Sequence, residues 1–322
     1  MWPKLPRYRQ VLGIVISGLG IAALPQIAVA QDMQDPRLAQ RALAAFGFVA
    51  IPNETAATLD FQAASGDNFD FRTAQLGGGF RPRPGDWLYL EGFLGWQSYD
   101  PELLQDNQSV SRSGQIAPQD TRWSSRAATG AVGYNFDLTP EFTLRPALHL
   151  AIGEFSSDET LTPDLNLNPG IEPLGTGDFS TGGYGLSFGL EYKYRSKPRE
   201  IDIRARHTWM RITPLEQRDL LHEADAIATS VYGRLRHPLG DLQAFKRPVR
   251  AVWEISASAY PGDQGQSLDT PWLAKVGAGF ELETSALPIA YLDRVRLVAS
   301  YAFGESYNGY SIGLGVSFRR QR

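Results

Sequence analysis

The chain carries four histidines, His149, His207, His222 and His237, and no cysteine. Nucleophilic catalysis needs a nucleophile, a base and a group that orients the base, all within hydrogen-bond reach. His222 and His237 fall in a loop and at a turn. His149 stands on one face of an alternating run, beside Arg145. His207 shares a face with Ile201, Ile203, Ala205 and Trp209. The place two residues on, where a serine could meet its ring, is taken by Trp209. No base, nucleophile and orienting group come together in this set, so no catalytic residue is assigned and a non-enzymatic protein is expected.

Metal and phosphate chemistry fare no better. "DNQ" (106–108) and "DETLTPDLNLN" (158–168) hold acids without the ligand spacing of a calcium loop, and read as solvated loops. "QLGGGF" (75–80) resembles a phosphate-binding glycine run but lacks the helix that must follow one. In an extended segment such glycines let a wall bend or a neighbour approach closely. No cofactor and no metal are expected.

What remains is charge laid on a pattern. "YGLSFGLEYKY" (184–194) puts Tyr184, Leu186, Phe188, Leu190, Tyr192 and Tyr194 on one face, and Gly185, Ser187, Gly189, Glu191 and Lys193 on the other. The same period of two runs through "LRPALHLAIG" (144–153), "WLAKVGAGFELE" (272–283), "RVRLVASYAF" (294–303) and "YSIGLGVSF" (310–318). A period of two is the signature of a strand with unlike faces. These runs span about ten to fourteen residues, longer than the roughly 5–6 of soluble strands and long enough to cross a bilayer at a tilt. The mean hydropathy of −0.26 fits, because half of every spanning strand is polar.

The pattern predicts an all-β fold: a transmembrane antiparallel up-and-down β-barrel of about 12 strands between residues 55 and 318. The first, 55–63, is the least cleanly patterned. The apolar face would meet lipid. The small and charged face would line a lumen holding Arg145, Glu191, Lys193, Asp202, Arg204, Arg206, Arg234, Arg250, Glu254, Lys275, Glu281, Arg294 and Arg296. Short proline-containing turns (81–86, 137–141, 195–199) alternate with long loops (98–122, 155–180, 213–224), as periplasmic turns and extracellular loops do. Segment 237–247 reads as a longer turn. An even strand count puts both chain ends on the periplasmic side. Trp96, Trp123, Trp209 and Trp272 fall at extracellular strand ends, and Phe136, Tyr192, Tyr194 and Phe318 at periplasmic ends, as two aromatic girdles.

The chain opens on a basic stretch with Lys4, Arg7 and Arg9, then an apolar run (11–24), then "AVA" (28–30). This reads as a signal peptide, residues 1–30. Removing it takes the formal net charge from −4 to about −7, which disfavours nucleic acid as a partner. Residues 31–48 form a segment of their own. In it Asp35 suits a helix N-cap, Pro36 the first helical position, and an alanine-rich stretch leads to Gly47. A helix is predicted at 36–46. It could lie on the periplasmic surface or in the lumen, and the lumen, with its small residues and mixed charge, is the expected place. Residues 49–322 are the barrel.

A helix of this kind, about twelve strands and the aromatic-ended "YSIGLGVSF" occur here in that order. In that arrangement the chain resembles the translocator barrel of autotransporters, standing alone without a passenger. The resemblance implies a monomeric protein of the bacterial outer membrane, in contact with its lipids and lipopolysaccharide, its pore wholly or partly plugged by the helix. It also implies a last strand read by the barrel-assembly machinery, with Phe318 as the terminal aromatic and "RRQR" (319–322) as a departure. Two alternatives remain open: a narrow channel for ions or small polar solutes and, more distantly, a hydrolase of outer-leaflet lipid built around His207.

Overall fold

The computed structural model describes residues 36–52, 59–66, 69–83, 85–99, 122–158, 179–196, 198–215, 222–244, 247–267, 271–284, 292–305 and 308–318. The predicted signal peptide, Asp35, most of the three long loops and the "RRQR" tail lie outside the described residues.

Two short helices, α1 (Pro36–Ala45) and α2 (Gly47–Ala50), precede the strands. The strands are β1 (Leu59–Gly66), β2 (Phe69–Phe80), β3 (Leu88–Tyr99), β4 (Arg122–Tyr134), β5 (Phe136–Asp137), β6 (Phe142–Asp158), β7 (Phe179–Arg195), β8 (Glu200–Pro214), β9 (Ala224–Ala244), β10 (Arg247–Ala259), β11 (Trp272–Glu283), β12 (Leu292–Gly304) and β13 (Asn308–Phe318). A third short helix, α3 (Asp263–Ser267), joins β10 to β11. The two-residue β5 continues β4 past Asn135 and pairs with β6. The wall therefore has the twelve long strands that the alternation predicts. Each pairs antiparallel with its neighbours, and the sheet closes on itself where Leu59 of β1 faces Leu314 of β13. Closure leaves no free edge, and a lone sheet in a bilayer needs that because its backbone groups have no water to turn to.

The period of two becomes the two faces of the wall. Leu148, Leu150, Ile152, Leu186, Phe188, Val276, Phe280, Ile312 and Tyr310 are exposed on the outside, Leu150 at 70% and Tyr310 at 73%. Their sequence neighbours Ala147, His149, Ala151, Ser187, Lys275 and Ser311 are buried. Among the described residues no helix is long and apolar enough to cross a membrane; the spanning elements are strands.

Three expectations change. β1 starts at Leu59 rather than 55 and runs to Gly66, paired with β2 along its whole length. Segment 237–247 is not a loose turn: β9 continues to Ala244 and pairs on to β10, with a register shift between Pro248 and Arg250. The ladder carries Pro238 opposite Arg250, beside that irregularity. Trp123 does not join an outer girdle. It is buried on the inner face, with its ring 5.1 Å from Phe155 and 6.2 Å from Tyr99. Trp96 and Trp272 are exposed outside, as are Phe136 and Tyr194 at the opposite rim.

Candidate functional site: the two halves of the lumen

α1 and α2 lie inside the barrel, in the half nearer the long loops. Gln40 marks the level: its amide nitrogen donates to the Glu223 carbonyl at 3.3 Å and its oxygen accepts from the His222 amide at 3.0 Å, just before β9 begins. The helix thus meets the long-loop rim, although β1 and β13 place their free ends towards the other rim. Ala42, Leu43, Ala45, Phe46, Val49 and Ala50 are buried against Tyr99, Trp123, Phe155, Phe179, Met210, Ile212, Ala224 and Ala226 of the inner wall. A barrel interior is ordinarily polar. Here one half of it is largely an apolar core.

Three polar side chains in this half serve the helix end. The last carbonyls of a helix have no intrahelical donor and need outside partners. Gln97 Nε2 donates to the Ala45 carbonyl at 3.1 Å, and Gln75 Nε2 donates to those of Phe48 and Ile51, both at 3.1 Å. Thr129 Oγ1 donates to the Ala50 carbonyl at 2.7 Å. These donors come from β2, β3 and β4. Gly47 completes the seat, since a Cβ there would collide with the side chains of Gln264 in α3 and Ala226 in β9. Truncating the fully buried Phe46 to alanine empties the middle of this core. Phe46→Ala is expected to weaken helix docking by about 3 kcal/mol, as faster protease cleavage ahead of β1 would register.

Below this core the lumen is charged. Asp202 of β8, wholly buried, accepts from Arg234 at 2.7 Å and Arg236 at 2.6 Å, and pairs with Arg195 at 2.5 Å. Glu200 pairs with Arg236 at 2.9 Å, Arg250 at 2.5 Å and Arg294 at 2.9 Å. Glu281 reaches Arg236 at 3.1 Å and Arg294 at 3.4 Å. Glu191 gathers Lys193 at 2.6 Å, Arg204 at 3.0 Å and Arg145 at 3.1 Å. Glu254 meets Arg296 at 3.1 Å. Arg206 spans to Glu91 of β3 at 2.8 Å. Lys275 is buried on the inner face of β11.

The thirteen residues expected to line the lumen thus lie on the inward face, nearly all tied to one another. Sequence reading missed Glu91, Arg195, Glu200 and Arg236. Arg195 stands where β7 runs one residue into the expected turn 195–199, and Glu200 opens β8 directly after it. Phe318 is the last residue of β13, paired with Leu292.

Two histidines bear on catalysis. His207 is exposed on the outside and bonds Thr229 Oγ1 through Nδ1 at 2.8 Å. His149 is buried, with Nε2 2.8 Å from Ser187 Oγ, a pairing that the sequence reading did not make. The Glu91 carboxylate, which would have to orient that ring, instead accepts from Tyr89 and Arg206, and His149 Nδ1 has no hydrogen-bond partner among the described residues. The pair reads as a buried polar contact. Among the described residues no three metal-ligating side chains gather.

Neither a protein-family model nor a curated protein matches the chain. Solved structures do. The β domain of the Bordetella autotransporter BrkA is 14% identical, with a TM-score of 0.49, over 81% of this chain and 97% of that one. The transport unit of the autotransporter AIDA-I from Escherichia coli is 12% identical, with a TM-score of 0.47, over 88% and 97%. The NanC porin is 12% identical, with a TM-score of 0.39, over 81% and 100%. Each is a likeness in barrel outline.

Proposed function

We propose that this chain is a bacterial outer-membrane barrel of the autotransporter translocator type, standing alone, non-enzymatic, and closed by its own N-terminal helix. One observation carries the reading: the helix's terminal carbonyls are held by Gln75, Gln97 and Thr129 over an apolar core that fills the long-loop half of the lumen. A surface helix would leave those carbonyls to water and would need no such donors on the inner wall. The outer leaflet's lipopolysaccharide would meet the exposed apolar belt. Phe318, ending β13, would be the residue that the assembly machinery reads, and the barrel would work as a monomer.

Single-channel recording in a planar bilayer tests closure. The mature chain is expected to be silent, and a version lacking residues 31–48 to give steady openings. Steady openings from both would overturn the closed reading. They would favour a narrow channel instead, a reading supported by the charged half of the lumen.

A further inference from the structure

The charged half of the lumen is lopsided. The arginine and carboxylate ladder is densest on the inner faces of β7, β8 and β9 and reaches on to Glu281 of β11 and Arg294 of β12. Further round the wall β11, β12 and β13 also carry small inward residues, among them Gly277, Ser300, Ser311 and Gly313, and a small pocket remains, with about 20 Å³ open to the centres of water-sized atoms. Its polar lining is Tyr232, Glu254, Ser256, Lys275, Arg296, Ser300 and Ser311.

Lys275 and Arg296 are each more than nine-tenths buried, at 5% and 6% exposure. Buried cations are stabilised by anionic company. Glu254, the one carboxylate in the lining, is shared: it meets Arg296 at 3.1 Å and Arg234 at 3.9 Å. Among the described inward residues of β6 to β12, cations outnumber carboxylates. Around the two cations stand hydroxyls, from Tyr232, Ser256, Ser300 and Ser311, which can donate to an acceptor-only group.

We propose that this pocket binds the oxyanion head of a small free solute, a sulfate, phosphate or carboxylate group. Lys275 and Arg296 supply the charge, and the serine hydroxyls supply neutral donors. The apolar core shuts the long-loop side, so the solute enters from the short-turn rim. The barrel wall separates the pocket from the surrounding lipid headgroups. The proposal goes beyond the closed-barrel reading and rests on it only for the side of entry. Loss of closure would appear in bilayer recordings, and loss of the pocket in the calorimeter.

Titration calorimetry of the full mature chain in a neutral detergent, with sodium sulfate against sodium chloride at matched ionic strength, tests the pocket. Sulfate is expected to give a saturable heat. Lys275→Gln should weaken it roughly tenfold or more, the size of one charge-assisted bond. Ser311→Ala, which removes only a hydroxyl, should weaken it severalfold and carries the test should the lysine variant fail to fold. Arg126→Gln on the outer face should leave it unchanged. No saturable heat from the parent chain, or equal affinity in the Lys275 and Ser311 variants, would overturn the proposal.

Discussion

Gly95→Leu is expected to turn a silent barrel into a conducting one without touching the helix sequence. Gly95 faces inward from β3, directly behind α2. A Cβ there would stand 3.0 Å from Val49 Cβ and 3.1 Å from the Val49 carbonyl carbon, and closer still to its oxygen. The obstacle is largely backbone, so no rotamer change relieves it. Overpacking typically costs about 1–3 kcal/mol. Here it also pulls Ala50 and Ile51 from the Thr129 and Gln75 donors, each bond contributing about 1 kcal/mol. Gly92→Leu on the same strand is the control, because a Cβ at Gly92 meets nothing within 4 Å. Bilayer recordings should show openings from full-length Gly95→Leu, as from the helix deletion, and silence from Gly92→Leu. A folded but silent Gly95→Leu would mean that the helix is not what closes the pore.

The second large effect is expected at Asp202. Its carboxylate sits among Arg195, Arg234 and Arg236 and is wholly buried. Asp202→Asn keeps the shape and removes the charge, leaving guanidiniums packed together with Glu200 and Glu281 as the remaining anions. Removing one partner of a buried ion pair costs about 3–5 kcal/mol. The denaturation midpoint of the detergent-solubilised barrel should fall accordingly. Glu154→Gln provides the contrast. That residue pairs with Arg126 at 3.5 Å on the outside, both side chains largely exposed, where a pair contributes about 0–1 kcal/mol. Equal midpoints for the two variants would show that the ladder does not hold the wall together.

The wall was the legible part of this chain because its signal is local. Period-two alternation in β6, β7, β11, β12 and β13 marks both the strand and the direction of each side chain. The helix was legible for the same reason, predicted at 36–46 and found at Pro36–Ala45. The lumen was legible only as a set of inward residues. Which of them meet depends on curvature and on strands far apart in sequence, as in the reach of Arg206 to Glu91. The donors that seat the helix were not visible at all. A glutamine on an inward face is indistinguishable from any other lumen residue until the fold brings a carbonyl within its reach. Trp123 was misread because tryptophan at a strand end suggests a membrane girdle, whereas its parity, shared with Ser125 and Ala127, pointed inward.

The apolar half of the lumen also bears on how the barrel would respond to an electrical potential. In the closed barrel proposed above, the apolar layer is the part of the lumen least able to hold ions, so an applied voltage would fall mainly across it. Moving one elementary charge through the full drop exchanges about 2.3 kcal/mol per 100 mV. α1 carries two ionisable residues, Arg37 and Arg41, both ahead of the uncharged stretch 42–51, so they would sense only part of that drop. A field of either sign finds little to pull on within that stretch, and the proposed closed state should hold under bias that would gate a pore with charge in the middle of its obstruction.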